Sequence, residues 1–134
     1  MAKKILIVDD DVDLVSSLSQ VLRSRGYETV AAHSAADGLK TLLAEKPDLV
    51  VLDVMMETDT AGFEAADQIR SSRPTSRYRE FRTVPIVILT AIGQVTHSRF
   101  SLDPGDNFLP GVEEFLTKPV DLDELLAKVG ALVG

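Results

Sequence analysis

Five side chains carry the chemistry that this sequence offers: Asp9, Asp10, Asp53, Thr90 and Lys118. Each ends an apolar run or lies just past one, as in Ile5-Leu6-Ile7-Val8-Asp9-Asp10 and Asp48-Leu49-Val50-Val51-Leu52-Asp53. Short runs of this kind, rich in Val and Ile, read as strands buried on both faces, the pattern of parallel sheets. A parallel sheet aligns its strand ends, and open α/β sheets bind and react beyond the carboxyl ends. Asp9, Asp10 and Asp53 are therefore expected to stand close together. Like charges that close repel, and burial raises the cost. A divalent cation relieves it, and Mg²⁺ accepts one or two carboxylates together with waters and phosphate oxygens.

A carboxylate held this way can act as a nucleophile in phosphoryl transfer and become an aspartyl phosphate. Such transfer is mostly positioning and charge stabilisation, so the site also needs a cation and a donor to the phosphoryl oxygens. Lys118 supplies the cation, Thr90 supplies the hydroxyl, and Asp53 is read as the acceptor. Pro119 follows Lys118, and a cis peptide there would aim the lysine into the site. Asp11 and Asp13 are read as helix-capping acids.

The elements that must position these groups alternate between strand and helix. Lys3 to Val8 is the first strand; Val12, Val15, Leu18, Val21 and Leu22 then fall at helical spacing behind Asp11 as N-cap, with Gly26 closing the helix. Tyr27 to Ala32 is a second strand, Ser34 caps a helix carrying Leu39, Leu42 and Leu43, and Pro47 ends it before the strand to Asp53. A loop from Val54 to Gly62 leads to a helix over about Phe63 to Arg70. Residues 71–83 are polar and Arg-rich, and Pro74 rules out a continuous helix there. Val84 to Leu89 is the fourth strand, ending in Thr90. Gly93 to Gly111 is punctuated by Pro104, Gly105 and Pro110 and has room for one short helix. Val112 to Leu116 is the fifth strand, Thr117-Lys118-Pro119 a turn, and Asp121 opens the last helix with a capping-box pattern. Alternation of this kind means crossover connections and a parallel sheet covered on both faces.

Composition sets limits. A chain of 134 residues with 45% hydrophobic and 26% charged residues is sized for one domain with its own core. No apolar run reaches a membrane-spanning length, and the lysine-led start lacks a signal-peptide pattern, which fits a cytoplasmic protein. The absence of cysteine excludes thiol catalysis and Cys-based metal sites. A net charge of −7 argues against nonspecific nucleic-acid binding.

Taken together, these segments resemble the receiver domain of two-component response regulators. The resemblance spans the whole chain and also rests on Val84-Pro85-Ile86-Val87-Ile88-Leu89-Thr90-Ala91 and Phe115-Leu116-Thr117-Lys118-Pro119. It implies a single receiver domain over residues 1–134. The implied fold is flavodoxin-like, a doubly wound five-stranded parallel sheet of order 2-1-3-4-5. It further implies phosphorylation of Asp53 by a histidine kinase or histidine phosphotransfer domain. Asp10 would be a direct Mg²⁺ ligand, Asp9 would act largely through water, and the Met55 carbonyl would complete the metal site, with Mn²⁺ able to substitute. Thr90 and Lys118 would hold the phosphoryl group. Phe115 would be the switch aromatic that follows Thr90, changing the face offered to a downstream protein or an attached output domain. On this reading the chain is not an enzyme in the turnover sense, touches neither nucleic acid nor membrane directly, and is a monomer or weak dimer.

Several positions depart from the family pattern. Glu57 stands where receivers usually carry proline, and Gly62 comes one residue later than usual after the acceptor. Two segments, one before Thr90 and one between Thr90 and Lys118, are longer than in compact receivers and are expected near the active or output face. Met55 and Ile92 occupy the positions that tune phosphate lifetime in the family. Both are apolar and exclude an attacking water, so slow self-dephosphorylation is expected. Arg70, Arg73, Arg77, Arg79 and Arg82 read as a solvated basic loop, or as a docking patch for an acidic partner, and His33 and His97 as surface residues. The main rival is a haloacid-dehalogenase-like phosphatase using Asp9 and Asp11, but Asp13 and the missing later acidic motif stand against it. A flavodoxin-type cofactor binder is disfavoured because three consecutive acids would repel phosphate. A receiver-shaped module that is never phosphorylated is the third.

Overall fold

Every apolar run that ends in one of the chemistry-bearing residues is a strand of one parallel sheet. The computed structural model describes residues 2–58, 60–91 and 114–133. In chain order the elements are β1 (Lys4–Val8), α1 (Val12–Ser24), β2 (Glu28–Ala32), α2 (Ala35–Glu45), β3 (Leu49–Asp53) and α3 (Ala61–Arg70). A 3-10 turn at Arg79–Phe81, then β4 (Ile86–Ala91), β5 (Glu114–Lys118) and α4 (Leu122–Val133) complete them. The sheet order is β2-β1-β3-β4-β5, with all four neighbouring pairs parallel, as expected. Parallel pairing cannot be closed by tight turns, so each strand returns through a crossover.

The strands are apolar throughout because both faces are covered. Val50 and Leu52 of β3 face a core shared with α2 and α3, including Leu42, Ala65, Ala66 and Ile69. Leu49 and Val51 face the opposite core, built with Val15, Leu18 and Leu22 of α1 and Leu125 and Val129 of α4. Burying one such side chain stabilises by about 1.5–3 kcal/mol, which is what fixes the register of β3. Val12, placed in the apolar stripe by its spacing, is instead 61% exposed at the first turn of α1.

Caps set the helix boundaries. Asp11 Oδ1 accepts from the Leu14 N–H at 3.1 Å, Ser34 Oγ from Asp37 at 3.1 Å, and Asp121 Oδ1 from Asp123 and Glu124 at 2.9 and 3.1 Å. At the end of α1 the N–H of Gly26 donates to Arg23 and that of Tyr27 to Leu22, a Schellman closure that places Gly26 at φ +90°.

Several boundaries and one placement differ from the sequence expectation; β4, for example, spans Ile86–Ala91 where Val84 to Leu89 is expected. α3 begins at Ala61, so Gly62 lies inside the helix. β5 runs on through Lys118 because Thr90 pairs with Thr117 and Ala91 with Lys118, so the expected turn starts later. Residues 71–85 lead into the amino end of β4, where the Val50 N–H donates to the Pro85 carbonyl at 3.0 Å. That segment therefore sits at the pole opposite Asp53, not near the active face. The expected short helix within 93–111 lies outside the described residues.

Candidate acidic site at the strand ends

Register brings the site together. Val8 pairs with Leu52, so Asp9, Asp10 and Asp53 all emerge at the carboxyl edge of adjacent strands. One carboxylate oxygen from each lies within 4.8 Å of the other two. Asp9 is fully buried, Asp53 is 3% exposed, and Asp10 is open to solvent.

Lys118 reaches the same point from β5. Its Nζ lies 3.0 Å from Asp9 Oδ2 and 3.1 Å from Asp53 Oδ1. The Lys118–Pro119 peptide is cis. Burial works against the lysine's charge, but the flanking Asp9 and Asp53 carboxylates outweigh it and raise its pKa. Asp53 shows the converse. Burial, then the Asp9 charge, push its pKa up to about 6, while Lys118 holds it down and Asp10 adds a smaller upward push.

The donor set fits a hard divalent cation. Asp9 Oδ1 already accepts from the Asp11 N–H at 2.9 Å, while among the described residues buried Asp9 Oδ2 has no hydrogen-bond partner of proper geometry and is paired with Lys118 alone. Three carboxylates against one ammonium leave a formal charge of two negatives in a partly buried site. All available ligands are oxygen, the preference of Mg²⁺, Ca²⁺ or Mn²⁺.

Thr90, the penultimate residue of β4, is 2% exposed and lies one residue beyond Leu89, the partner of Asp53 in the register. Phe115 pairs with Ile88 and packs on the same core face as Ile88, so Thr90 and Phe115 are near neighbours on one side of the sheet. Met55 lies 42% exposed in the loop after β3. Ile92 and His97 lie outside the described residues.

Three features of the site were not read from the sequence. Gly62 packs onto the end of β3: its N–H donates to the Val54 carbonyl at 2.8 Å, and a Cβ there would collide with the Asp53 carbonyl oxygen. Glu57 accepts from the N–H groups of Ala35 and Ala36 at 2.8 and 3.0 Å, spanning from the acidic loop to the start of α2. Desolvation works to raise its pKa, but those N–H donors prevail and hold it below the usual glutamate value. His33, exposed as expected, places Nδ1 3.0 Å from the Asp9 carbonyl. Asx- and glycine-type signals mark local turns, but neither a cross-loop clamp nor a close backbone approach has a local signature.

A five-stranded sheet of this order, with buried acids and a lysine at the carboxyl edge, defines a receiver. A family model described as the response regulator receiver domain matches residues 5–130, and the chain belongs to that family. Among relatives, the response regulator MprA of Mycobacterium ulcerans is 35% identical over 133 residues, covering 99% of this chain and 51% of that protein. The chain thus spans about half the length of the curated relatives it matches. A CheY-like response regulator receiver domain protein from Methanospirillum hungatei superimposes with a TM-score of 0.75 at 29% identity, over 98% of this chain and 93% of that one. The chemotaxis response regulator CheY4 of Vibrio cholerae shares the fold at a TM-score of 0.78 and 23% identity, over 99% and 100% of the two chains. Receiver domains are parts of two-component systems, work with histidine kinases and output domains, and bind a divalent metal at an acidic pocket. Among the described residues no helix is long and apolar enough to cross a membrane.

Proposed function

We propose that residues 1–134 act as a single receiver domain whose phosphoacceptor is Asp53. The observation that carries this reading is Lys118 Nζ standing between Asp9 and Asp53, 3.0 and 3.1 Å away, beside a three-carboxylate cluster. With its pKa near 6, Asp53 is ionised and nucleophilic at neutral pH. One of its oxygens attacks phosphorus, a P–O bond forms, and the bond from phosphorus to the donor breaks; for a phosphohistidine donor the leaving imidazole takes up a proton.

Asp9, Asp10, Asp53 and the Met55 carbonyl would hold Mg²⁺, or Mn²⁺ in its place. When bound, that ion supplies charge neutralisation to the transferring group. Lys118 balances charge on the other side, and the Thr90 hydroxyl donates to a phosphoryl oxygen. Movement of Thr90 toward the phosphoryl group frees space that Phe115 enters, which alters the face of β4 and β5. Pro119 keeps the lysine-bearing end of β5 in place. The apolar Met55 and Ile92 leave no group to orient water, so the aspartyl phosphate decays slowly. The donor would be a histidine kinase or a histidine phosphotransfer domain. The domain takes part in its own phosphorylation and dephosphorylation without turning over a substrate. Its readout is a downstream protein or an attached output domain, in a cytoplasmic monomer or weak dimer without direct nucleic-acid or membrane contact.

Intact mass after incubation with acetyl phosphate tests this. A Mg²⁺-dependent gain of one phosphoryl group, absent in Asp53→Asn and persisting well beyond seconds, is expected. An unmodified wild type would leave a receiver-shaped interaction module that is never phosphorylated.

A further inference from the structure

Residues 70–82 carry five arginines against the single acid Glu80, in a chain whose net charge is −7. The rest of the chain is therefore four charges more negative than that total. Gathering like charges on one short surface segment is unfavourable by itself, and the fold uses only part of the cluster. Arg70 donates to the Arg82 carbonyl at 2.8 Å, Arg82 to the carbonyls of Ser71 and Arg73 at 2.8 and 3.2 Å, and Arg79 to that of Ser76 at 3.1 Å. With Phe81 buried and Tyr78 packed on the core, these bonds anchor a segment that is otherwise largely solvent-exposed, as expected.

The side chains of Arg73 and Arg77 take no part in that stapling, although the Arg73 carbonyl does. Both are exposed, and their guanidinium groups have no partner among the described residues. With Gln68, Thr75, Ser76 and Tyr78 they line a surface cleft of about 260 Å³.

We propose that this cleft docks an acidic segment of a partner protein, its carboxylates seated on Arg73 and Arg77. A guanidinium offers a planar fork that matches a carboxylate with two parallel hydrogen bonds. Gln68, Thr75 and Ser76 add neutral donors. The acidic remainder of the surface repels such a segment everywhere else and steers it to this pole. A duplex or an anionic membrane is extended, so it would meet that negative surface beyond the cleft and lose its counterion gain. A short peptide does not. The lobe lies at the opposite end of the strands from Asp53, so docking is independent of the phosphoacceptor reading.

The test is a titration of ¹⁵N-labelled full-length chain with a short polyglutamate peptide at low ionic strength. Amide shifts confined to Gln68–Tyr78 are expected. The neutral pair Arg73→Gln/Arg77→Gln should weaken binding by about tenfold or more, and Arg73→Glu/Arg77→Glu should abolish it, with thermal stability unchanged in both. Asp53→Asn should bind the peptide like the wild type. The proposal is overturned by shifts spread over other surfaces, by no shifts, or by equal binding in the Arg variants. Tighter binding of a duplex oligonucleotide or of phosphatidylserine vesicles at the same salt overturns it too.

Discussion

Glu57 Oε1 accepts a hydrogen bond from the backbone N–H of Ala35 at 2.8 Å, and its second oxygen takes the next N–H of α2, that of Ala36, at 3.0 Å. The residue that replaces the family's usual proline thus ties the loop after Asp53 to the positive end of a neighbouring helix, where a carboxylate is favoured. Met55, proposed to offer its carbonyl to the metal, lies two residues before it in the same loop.

Glu57→Ala should cost about 1 kcal/mol of stability, the usual value of a lost N-terminal cap at an exposed position. Urea unfolding measures that loss. Calorimetric titration with Mg²⁺ should show weaker binding as well, since the loop loses its anchor. Unchanged Mg²⁺ affinity would mean that the clamp serves α2 alone.

Gly62→Ala forces a methyl into the Asp53 carbonyl oxygen and to within 2.8 Å of Val54 Cα. Both are backbone atoms at the end of β3 and just past it, and cannot swing aside. A loss of about 3 kcal/mol in thermal or urea unfolding is expected, together with loss of the acetyl phosphate adduct. A variant as stable as the wild type would show that α3 can slide freely.

The raised Asp53 pKa gives a pH dependence with a definite sign. Its folded value near 6 exceeds the ordinary 3.8, so the ionised group opposes folding above about pH 6, and that penalty fades as pH falls toward 4. In EDTA, Asp53→Asn should therefore be more stable than the wild type at pH 7.5, by roughly 3 kcal/mol at most, and the gap should shrink at pH 4.5. Thermal unfolding at the two pH values decides it. Mg²⁺ affinity should fall below about pH 6, because the ligand must shed its proton first.

Lys118→Met removes the ammonium that faces two buried carboxylates at 3.0 and 3.1 Å. Breaking such an arrangement from one side costs about 3 kcal/mol or more. In EDTA the variant should melt well below the wild type, and Mg²⁺ should raise its melting temperature by more than it raises that of the wild type. Equal Mg²⁺ responses would mean that the lysine and the cation do not share the same negative charge.

Much of the site was legible because it depends on where strands end. Asp9, Asp53, Thr90 and Lys118 each close an apolar run, and parallel pairing converts equal positions along runs into proximity in space. Capping by Asp11, Ser34 and Asp121 was legible for a similar reason, since the donor and acceptor lie within three residues. The boundary of β5 was not, because the extension to Lys118 is set by pairing with β4 and not by the alternation of β5 itself.

The sequence by itself determined the α/β alternation, the strand order expected of the family, and the acids, lysine and threonine of the site. These follow from apolar periodicity and from residue type, which are local. Only the tertiary structure decided which neighbours those groups have. It put Gly62 against the Asp53 backbone, Glu57 on the start of α2, and Arg70 and Arg82 on carbonyls while Arg73 and Arg77 face solvent. Each of these is a contact between segments distant in sequence or differently oriented in space, and no local propensity encodes it.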